Sequence, residues 1–361
     1  VKILFFSDLH AHNYQQFSVC AASGLNSRFV DCLNVVEQIA DLARSENIDV
    51  VVFAGDLFES RTKIDVEVWT ETWRAIRDLS DHAEVYLLRG NHDESSRIGG
   101  CCSLTPFSPR AEVVQGSLAT PMRGRSVVGS AGGPVDCYCI PHLADKVHLQ
   151  EELRAVTDCD ILLMHQGLQE ALPGPNDVHT HEIELGDLPL DRVRHYVLLG
   201  HIHKRQTLPG TNGKVQYVGS PMQLNFGDRD EKRGFLILDT ANWEIEFRES
   251  SAPKFQVLGF PEDALDPAGE DLSGVNPAVN HVKVVYHPRW RQSVAALKER
   301  WPRLRLEEQT ETASRAARIT REAATDDSAL LQEYLVQTGC RDLDPDALLD
   351  EGLATLHDGR V

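Results

Sequence analysis

The chain has 361 residues, 42% of them hydrophobic and 25% charged, with a mean hydropathy of −0.30. That profile excludes a fibrous, collagen-like or largely disordered protein, and at roughly 150 residues per domain the length suggests about two domains. A net charge of −19 excludes a polycation that coats nucleic acid, but it leaves room for a locally basic face.

In chain order, the first element is VKILFF at 1–6. One lysine, a short apolar run and no small-residue cleavage site make it a buried strand and not a signal peptide. Runs at 49–54, 84–89, 160–164 and 195–199 are equally short and rich in Val, Leu and Ile. Continuous apolar runs of this length predict strands covered on both faces. Between the first two, Phe29, Leu33, Val36, Ala40 and Ala43 form a helical stripe, with Asn26 or Ser27 as its N-cap. A second stripe runs Val66, Trp69, Trp73, Ile76; its tryptophans suit core packing or a helix-on-helix subunit contact. Strand–helix alternation predicts a layered α/β domain. From about 215, VQYVGS, GFLILDT and WEIEFRE predict a second, antiparallel sheet closing the same domain.

A Pro/Gly/Asp-rich stretch at 259–277 reads as a linker. A strand (281–287), a helix (291–300) and a strand (303–309) then predict a small α/β module, and two acidic helices are expected near 327–338 and 344–356. Charge divides sharply here: residues 276–321 carry a net +6 and residues 322–361 a net −8. The basic module is a candidate phosphate-backbone surface, against the plainer reading of a solvated mixed-charge face. The eight cysteines form no CxxC pair, so structural zinc is not expected; reduced thiols of a cytoplasmic protein are, with disulfides of an exported protein as the rival reading. No run approaches the roughly 18 apolar residues of a membrane span.

Chemistry concentrates where the strand-like runs end. After the five apolar runs come Asp8 and His10; Gly55-Asp56; Gly90-Asn91-His92-Asp93; His165; and Gly200-His201-Ile202-His203. In an open α/β sheet the carboxyl ends of the strands form the ligand crevice. Residues i and i+2 of an extended chain point the same way, so Asp8/His10 and His201/His203 can each converge on one point. Two carboxylates, one amide and four imidazoles are too many ligands for a single tetrahedral zinc. They fit two divalent ions sharing a carboxylate, and mixed N/O ligands favour Mn, Fe or Zn. Such a pair is the usual apparatus for hydrolysing a phosphoester, with His92 placed to stabilise charge or protonate the leaving oxygen.

This series of motifs resembles the calcineurin-like metallophosphoesterase superfamily over roughly residues 1–250. Gly55-Asp56-Leu57-Phe58, the segment VGSPMQLNFGDRDEKRGFLIL at 218–238 and the basic module after it resemble the DNA double-strand-break repair and recombination branch, that of SbcD-type nuclease subunits and their phage relatives. The resemblance implies a layered β-sandwich flanked by helices with a small C-terminal α/β capping module. It implies a nuclease domain at 1–252, a linker and DNA-capping module at 253–322 and a possible ATPase-docking tail at 323–361. It implies one metal ion on Asp8, His10, Asp56 and His203, a second on Asp56, Asn91, His165 and His201, and His92 as the catalytic histidine. It further implies Mn2+ as the ion, DNA as substrate, exo- and endonuclease activity, a homodimer and an SMC-like ABC ATPase partner of the SbcC type. Arg61 and Arg89 lie near the motifs, and Arg289 and Arg291 in the basic module, as possible phosphate contacts. Arg89 in Leu88-Arg89-Gly90-Asn91-His92 also resembles the superfamily's protein phosphatases. One departure stands out: some members carry a histidine three residues after the bridging aspartate, and this chain has Glu59. The rival readings are a phosphatase or small-molecule phosphodiesterase on the same scaffold, and a metal-binding but non-catalytic recruitment subunit.

Overall fold

The structure, a computed structural model, describes residues 1–96, 100–122, 134–174, 183–301 and 303–309. The acidic helices expected near 327–338 and 344–356 lie outside these residues. By contact, Val1–Glu307 is one compact unit and Glu308–Val361 another.

The chain opens with β1 (Lys2–Phe6), α1 (Ser27–Ser45), β2 (Val50–Phe53), α2 (Val66–Ser80), β3 (Glu84–Leu88) and β4 (Glu112–Val114). The four strands run parallel, in order β1-β2-β3-β4. A second six-stranded sheet follows, from β5 (Leu118–Met122), β6 (Val135–Ile140), α3 (Lys146–Ala155), β7 (Cys159–His165), β8 (Val193–Gly200), β9 (Gln206–Thr207) and β10 (Val215–Tyr217). The chain then returns to the first sheet as the hairpin β11 (Gly234–Asp239) and β12 (Glu244–Glu249), with β11 antiparallel to β1. A three-stranded sheet of β13 (Phe255–Phe260), β14 (His281–Tyr286) and β15 (Arg305–Glu308), with α4 (Arg291–Arg300), completes the described chain.

The period of two along each strand explains the layers. In β1, Ile3 and Phe5 face the second sheet, where they meet Cys139, Ile161, Leu163 and Leu198. Leu4 and Phe6 face the other way, onto Phe29, Val36 and Ile39 of α1 and Val68 and Ile76 of α2. The second sheet does the same, burying Leu162, Met164 and Leu199 against Leu149 and Leu153 of α3. The result is a helix–sheet–sheet–helix sandwich, the layered β-sandwich that the motifs imply, and it accounts for apolar runs with no polar face. Asn26 caps α1, its side chain accepting from the amides of Arg28 and Phe29 at 3.0 and 3.2 Å.

Three expectations change. The hairpin at 234–249 does not open a separate antiparallel sheet; it extends the first one, because alternate residues such as Leu236 and Leu238 complete the layer between the sheets. VQY at 215–217 instead joins the second sheet, parallel to β8. The stretch read as a linker overlaps β13 through Phe260. On α2 the buried face is Val68, Thr72, Ile76 and Leu79, while Val66 is 82% exposed. Trp69 and Trp73 are only partly buried and pack on the margin of the core. Cys20, Cys32, Cys101, Cys102, Cys137, Cys139 and Cys159 are free thiols, and no described helix is long and apolar enough to cross a membrane.

Candidate metal centre

The strands that carry the motifs end at one rim, and the loops beyond them keep pairing. Asp8 N donates to Gly55 O at 2.9 Å and His10 N to Asp56 O at 3.1 Å, so the β1 and β2 loops advance in step. Asp8, His10, Asp56 and His201 all sit at positive φ (54°, 50°, 63° and 87°). Four non-glycine residues in this region within one site mark a backbone strained for function. Two glycines permit the crowding. A Cβ on Gly55 would lie 2.1 Å from His165 Nδ1, and one on Gly90 would lie 2.2 Å from Asp56 Oδ1. Neither position can carry a side chain without displacing His165 or Asp56.

The candidate ligands converge as two groups, beside a third cluster of His10, Glu59 and His92. Asp8, His10 and His203 form one, and Asp56, His165 and His201 form the other, with ligand atoms in each group within 4.8 Å of one another. His10 Nε2 lies 3.1 Å from His203 Nε2 and 3.8 Å from Asp56 Oδ2. His165 Nε2 lies 3.4 Å from Asp56 Oδ2. Asn91 Oδ1 lies 3.1 Å from His165 Nε2 and 2.9 Å from His201 Nδ1. All seven residues singled out at the strand ends are therefore brought together, with Asp56 between the groups.

Lone pairs facing lone pairs at these distances repel unless a proton or a cation lies between them. With its amide turned over, Asn91 would donate to His201 and His165 and accept from Arg61 Nη2 at 2.9 Å. With its oxygen inward it completes an N/O donor set suited to cations of mixed N/O preference. Electrostatics agree. Burial would lower the pKa of His10 and His165, but Glu59, Asp56 and Asp8 around His10, and Asp56 and Asp8 around His165, outweigh it and raise each to about 9. Burial acts to raise the pKa of Asp56, yet the imidazoles of His165, His10 and His92 hold it well below the usual carboxylate range. The pit favours positive charge.

Outer contacts hold the ligands in place, and sequence reasoning missed most of these. His165 Nδ1 donates to Ala54 O at 2.6 Å, which reserves Nε2 for the centre. Asp93, quoted in the motif without a role, accepts from the amides of Asp56, Leu57 and Gly90 at 2.9 to 3.0 Å. Burial and the neighbouring Asp56 charge push its pKa up to about 6. Arg233 is buried, pairs with Asp228 at 2.9 Å and donates to His203 O and Ser220 Oγ. The 218–238 segment thus underpins His203. His142 follows β6 as the candidate ligands follow their strands, and its ring centroid lies 5.8 Å from that of His201. The apolar run at 135–140 before it was the available signal.

His92 reaches the open cleft of about 410 Å³ that also exposes Tyr14, Asn225 and Asp228. Its amide donates to Asp56 Oδ1 at 2.7 Å and its Nδ1 to Glu59 O at 2.6 Å. Of the four arginines singled out, Arg61 stands beside Asn91, although it is not among the residues lining the cleft. Arg89 is 7% exposed, pairs with Glu94 and donates to His142 O at 2.9 Å, so it ties two loops together and does not line the cleft. Arg289 and Arg291 are exposed in the three-stranded region and do not line it either.

A helix–sheet–sheet–helix sandwich with an Asp/Asn/His cluster at the carboxyl ends of its strands is the build of a metal-dependent phosphoester hydrolase. The chain belongs to the calcineurin-like phosphoesterase family, whose model matches residues 1–205. It is similar to the DNA double-strand break repair protein Mre11 of Saccharolobus solfataricus, at 29% identity over 61% of this chain and 54% of the relative. The Archaeoglobus fulgidus protein of the same name is 25% identical over 85% of this chain and 74% of the relative. A subunit of the nuclease SbcCD from Bacillus subtilis is 23% identical over 63% of this chain and 66% of the relative. The chain spans between 54% and 62% of the length of three of the Mre11 proteins it matches. Among solved structures, a dimetal phosphatase from Danio rerio matches with a TM-score of 0.35 at 11% identity, over 65% of this chain and 91% of that one.

Proposed function

We propose that this chain is a two-metal phosphodiesterase that hydrolyses DNA, as an exo- or endonuclease of double-strand-break repair or recombination. The observation that carries the reading is the convergence of six side chains into two groups that meet at Asp56, with Asn91 beside His165 and His201. Asp8, His10, Asp56 and His203 would hold one divalent ion, and Asp56, Asn91, His165 and His201 the other, with Mn2+ suited to the N/O ligand set. When bound, the ions supply Lewis-acid activation of the attacking water and neutralise charge on the phosphoryl oxygens.

The remaining work falls to protein groups. His92, with Nδ1–H engaged by Glu59 O, presents Nε2 to the cleft, and in its imidazolium form that nitrogen can give its proton to the leaving oxygen. Arg61, beside Asn91, offers its guanidinium to a phosphate in the cleft. The 253–322 region would act as the DNA-capping module, with Arg289 and Arg291 contacting the backbone, which positions a duplex without reading its sequence. The names of the relatives support DNA as substrate. We extend the same reading to an SMC-like ATPase partner, a homodimer and a docking role for 323–361.

The test is a Mn2+-dependent assay on end-labelled duplex and single-stranded DNA, beside a chromogenic diester, for wild type and His92→Ala. The expected result is DNA cleavage by wild type, and a variant that retains metal but loses cleavage by about 10²-fold or more. Cleavage of the small diester far above that of DNA would replace the nuclease reading with the small-molecule one.

A further inference from the structure

Each of three site histidines turns one nitrogen to the centre or the cleft and has the other nitrogen engaged. His165 and His92 use main-chain carbonyls, those of Ala54 and Glu59, both at 2.6 Å. His10 differs. Its Nε2 faces His203 and Asp56, and its Nδ1 lies 2.7 Å from Glu59 Oε2. The contact has the distance of an ion pair but not the alignment of a well-formed hydrogen bond, so its effect is chiefly electrostatic. The His10 side chain is 3% exposed and that of Glu59 is 43% exposed, so the carboxylate sits at the rim and reaches inward.

We infer that Glu59 is a positioning residue of the metal centre: its carboxylate selects the His10 tautomer and strengthens cation binding at the Asp8/His10/His203 group, while its carbonyl orients His92. The inference rests on the two-metal reading. A negative charge beside Nδ1 makes that nitrogen the favoured seat of the ring's proton and leaves the Nε2 lone pair for the cation. The same charge raises the ring's donor strength, as a carboxylate behind a ligating imidazole does in other metal sites. Glu59 also adds a third carboxylate near the Asp8/Asp56 pair, which favours divalent cations over a neutral partner at that position. Because one residue serves His10 by side chain and His92 by main chain, the two roles separate experimentally. Substituting the side chain removes only the first, leaving the carbonyl on His92.

Glu59→Gln keeps the shape and removes the charge, and Glu59→Asp keeps the charge on a shorter stem. Mn2+ is titrated calorimetrically into metal-free wild type and both variants, and the His10 ring nitrogens are followed by 15N NMR in the metal-free proteins at a pH well above 9, where the ring is neutral. We expect wild type to bind two ions. In Glu59→Gln one of them should weaken by about 10-fold, with the His10 tautomer mixture moving toward protonated Nε2. Glu59→Asp should recover part of the loss, and the melting temperature of the metal-free proteins should show that all three are folded. Two ions bound with wild-type affinities and an unchanged His10 signal in Glu59→Gln would overturn the inference. A wild type that binds no divalent cation would overturn the two-metal reading itself.

Discussion

The two large sheets bring different chemistry to the same cleft. The rim of the first supplies Asp8, His10, Asp56, Asn91 and His92, which include both carboxylates and the amide. The rim of the second supplies His165, His201 and His203, all imidazoles. Each ligand group contains residues from both rims. The first sheet therefore brings both aspartates, the second brings only imidazoles, and neither assembles either group by itself. The apolar layer between them, with Phe5, Val52, Ile161 and Leu163 essentially inaccessible, is what sets the distance between the two half-sites.

The sharpest way to break this division is Asp56→Asn, since Asp56 stands between the ligand groups. We expect loss of bound metal, measured by elemental analysis, and a fall in cleavage of about 10³-fold. A smaller effect is expected on the first rim alone. Asp93→Asn weakens the acceptor for the Asp56, Leu57 and Gly90 amides, and metal affinity should drop by about 10- to 100-fold in a calorimetric titration. Loosening the layer between the sheets tests the contact itself. Leu163→Ala should cost about 2–5 kcal/mol in a denaturant titration and reduce the gain in melting temperature that Mn2+ produces. The smallest effect should come from a region belonging to neither sheet. Arg289→Ala should leave cleavage of a chromogenic diester unchanged while lowering the salt slope of DNA binding by about 1.

The ligands were legible because the chemistry restricts them to Asp, Asn and His, and because the strands that present them are apolar enough to be recognised. The five motif-bearing strands are present, and all seven proposed ligands and His92 gather at one site. The helper residues were not legible. Asp93, Arg233 and His142 act through main-chain groups or ring contacts of residues mostly far away in sequence, so although Asp93 lies in a motif and His142 follows an apolar run, their partners could not be read from local pattern. The face of α2 was misread by about one residue, because Val66 at the first turn carries the right hydrophobic character but lies where the helix has not yet met the sheet.

Local sequence alone determined where the five motif-bearing strands run, which residues could bind metal, and that these strands would be buried on both faces. These follow from side-chain periodicity and donor chemistry, properties a segment carries wherever it is placed. Only the tertiary structure decided that the 234–249 hairpin seals the edge of the first sheet, that two sheets stack face to face, and that Glu59 reaches His10 from 49 positions away in the chain. Those outcomes depend on the packing of apolar surfaces that are interchangeable in composition and differ only in shape, so they are settled when the layers close on one another.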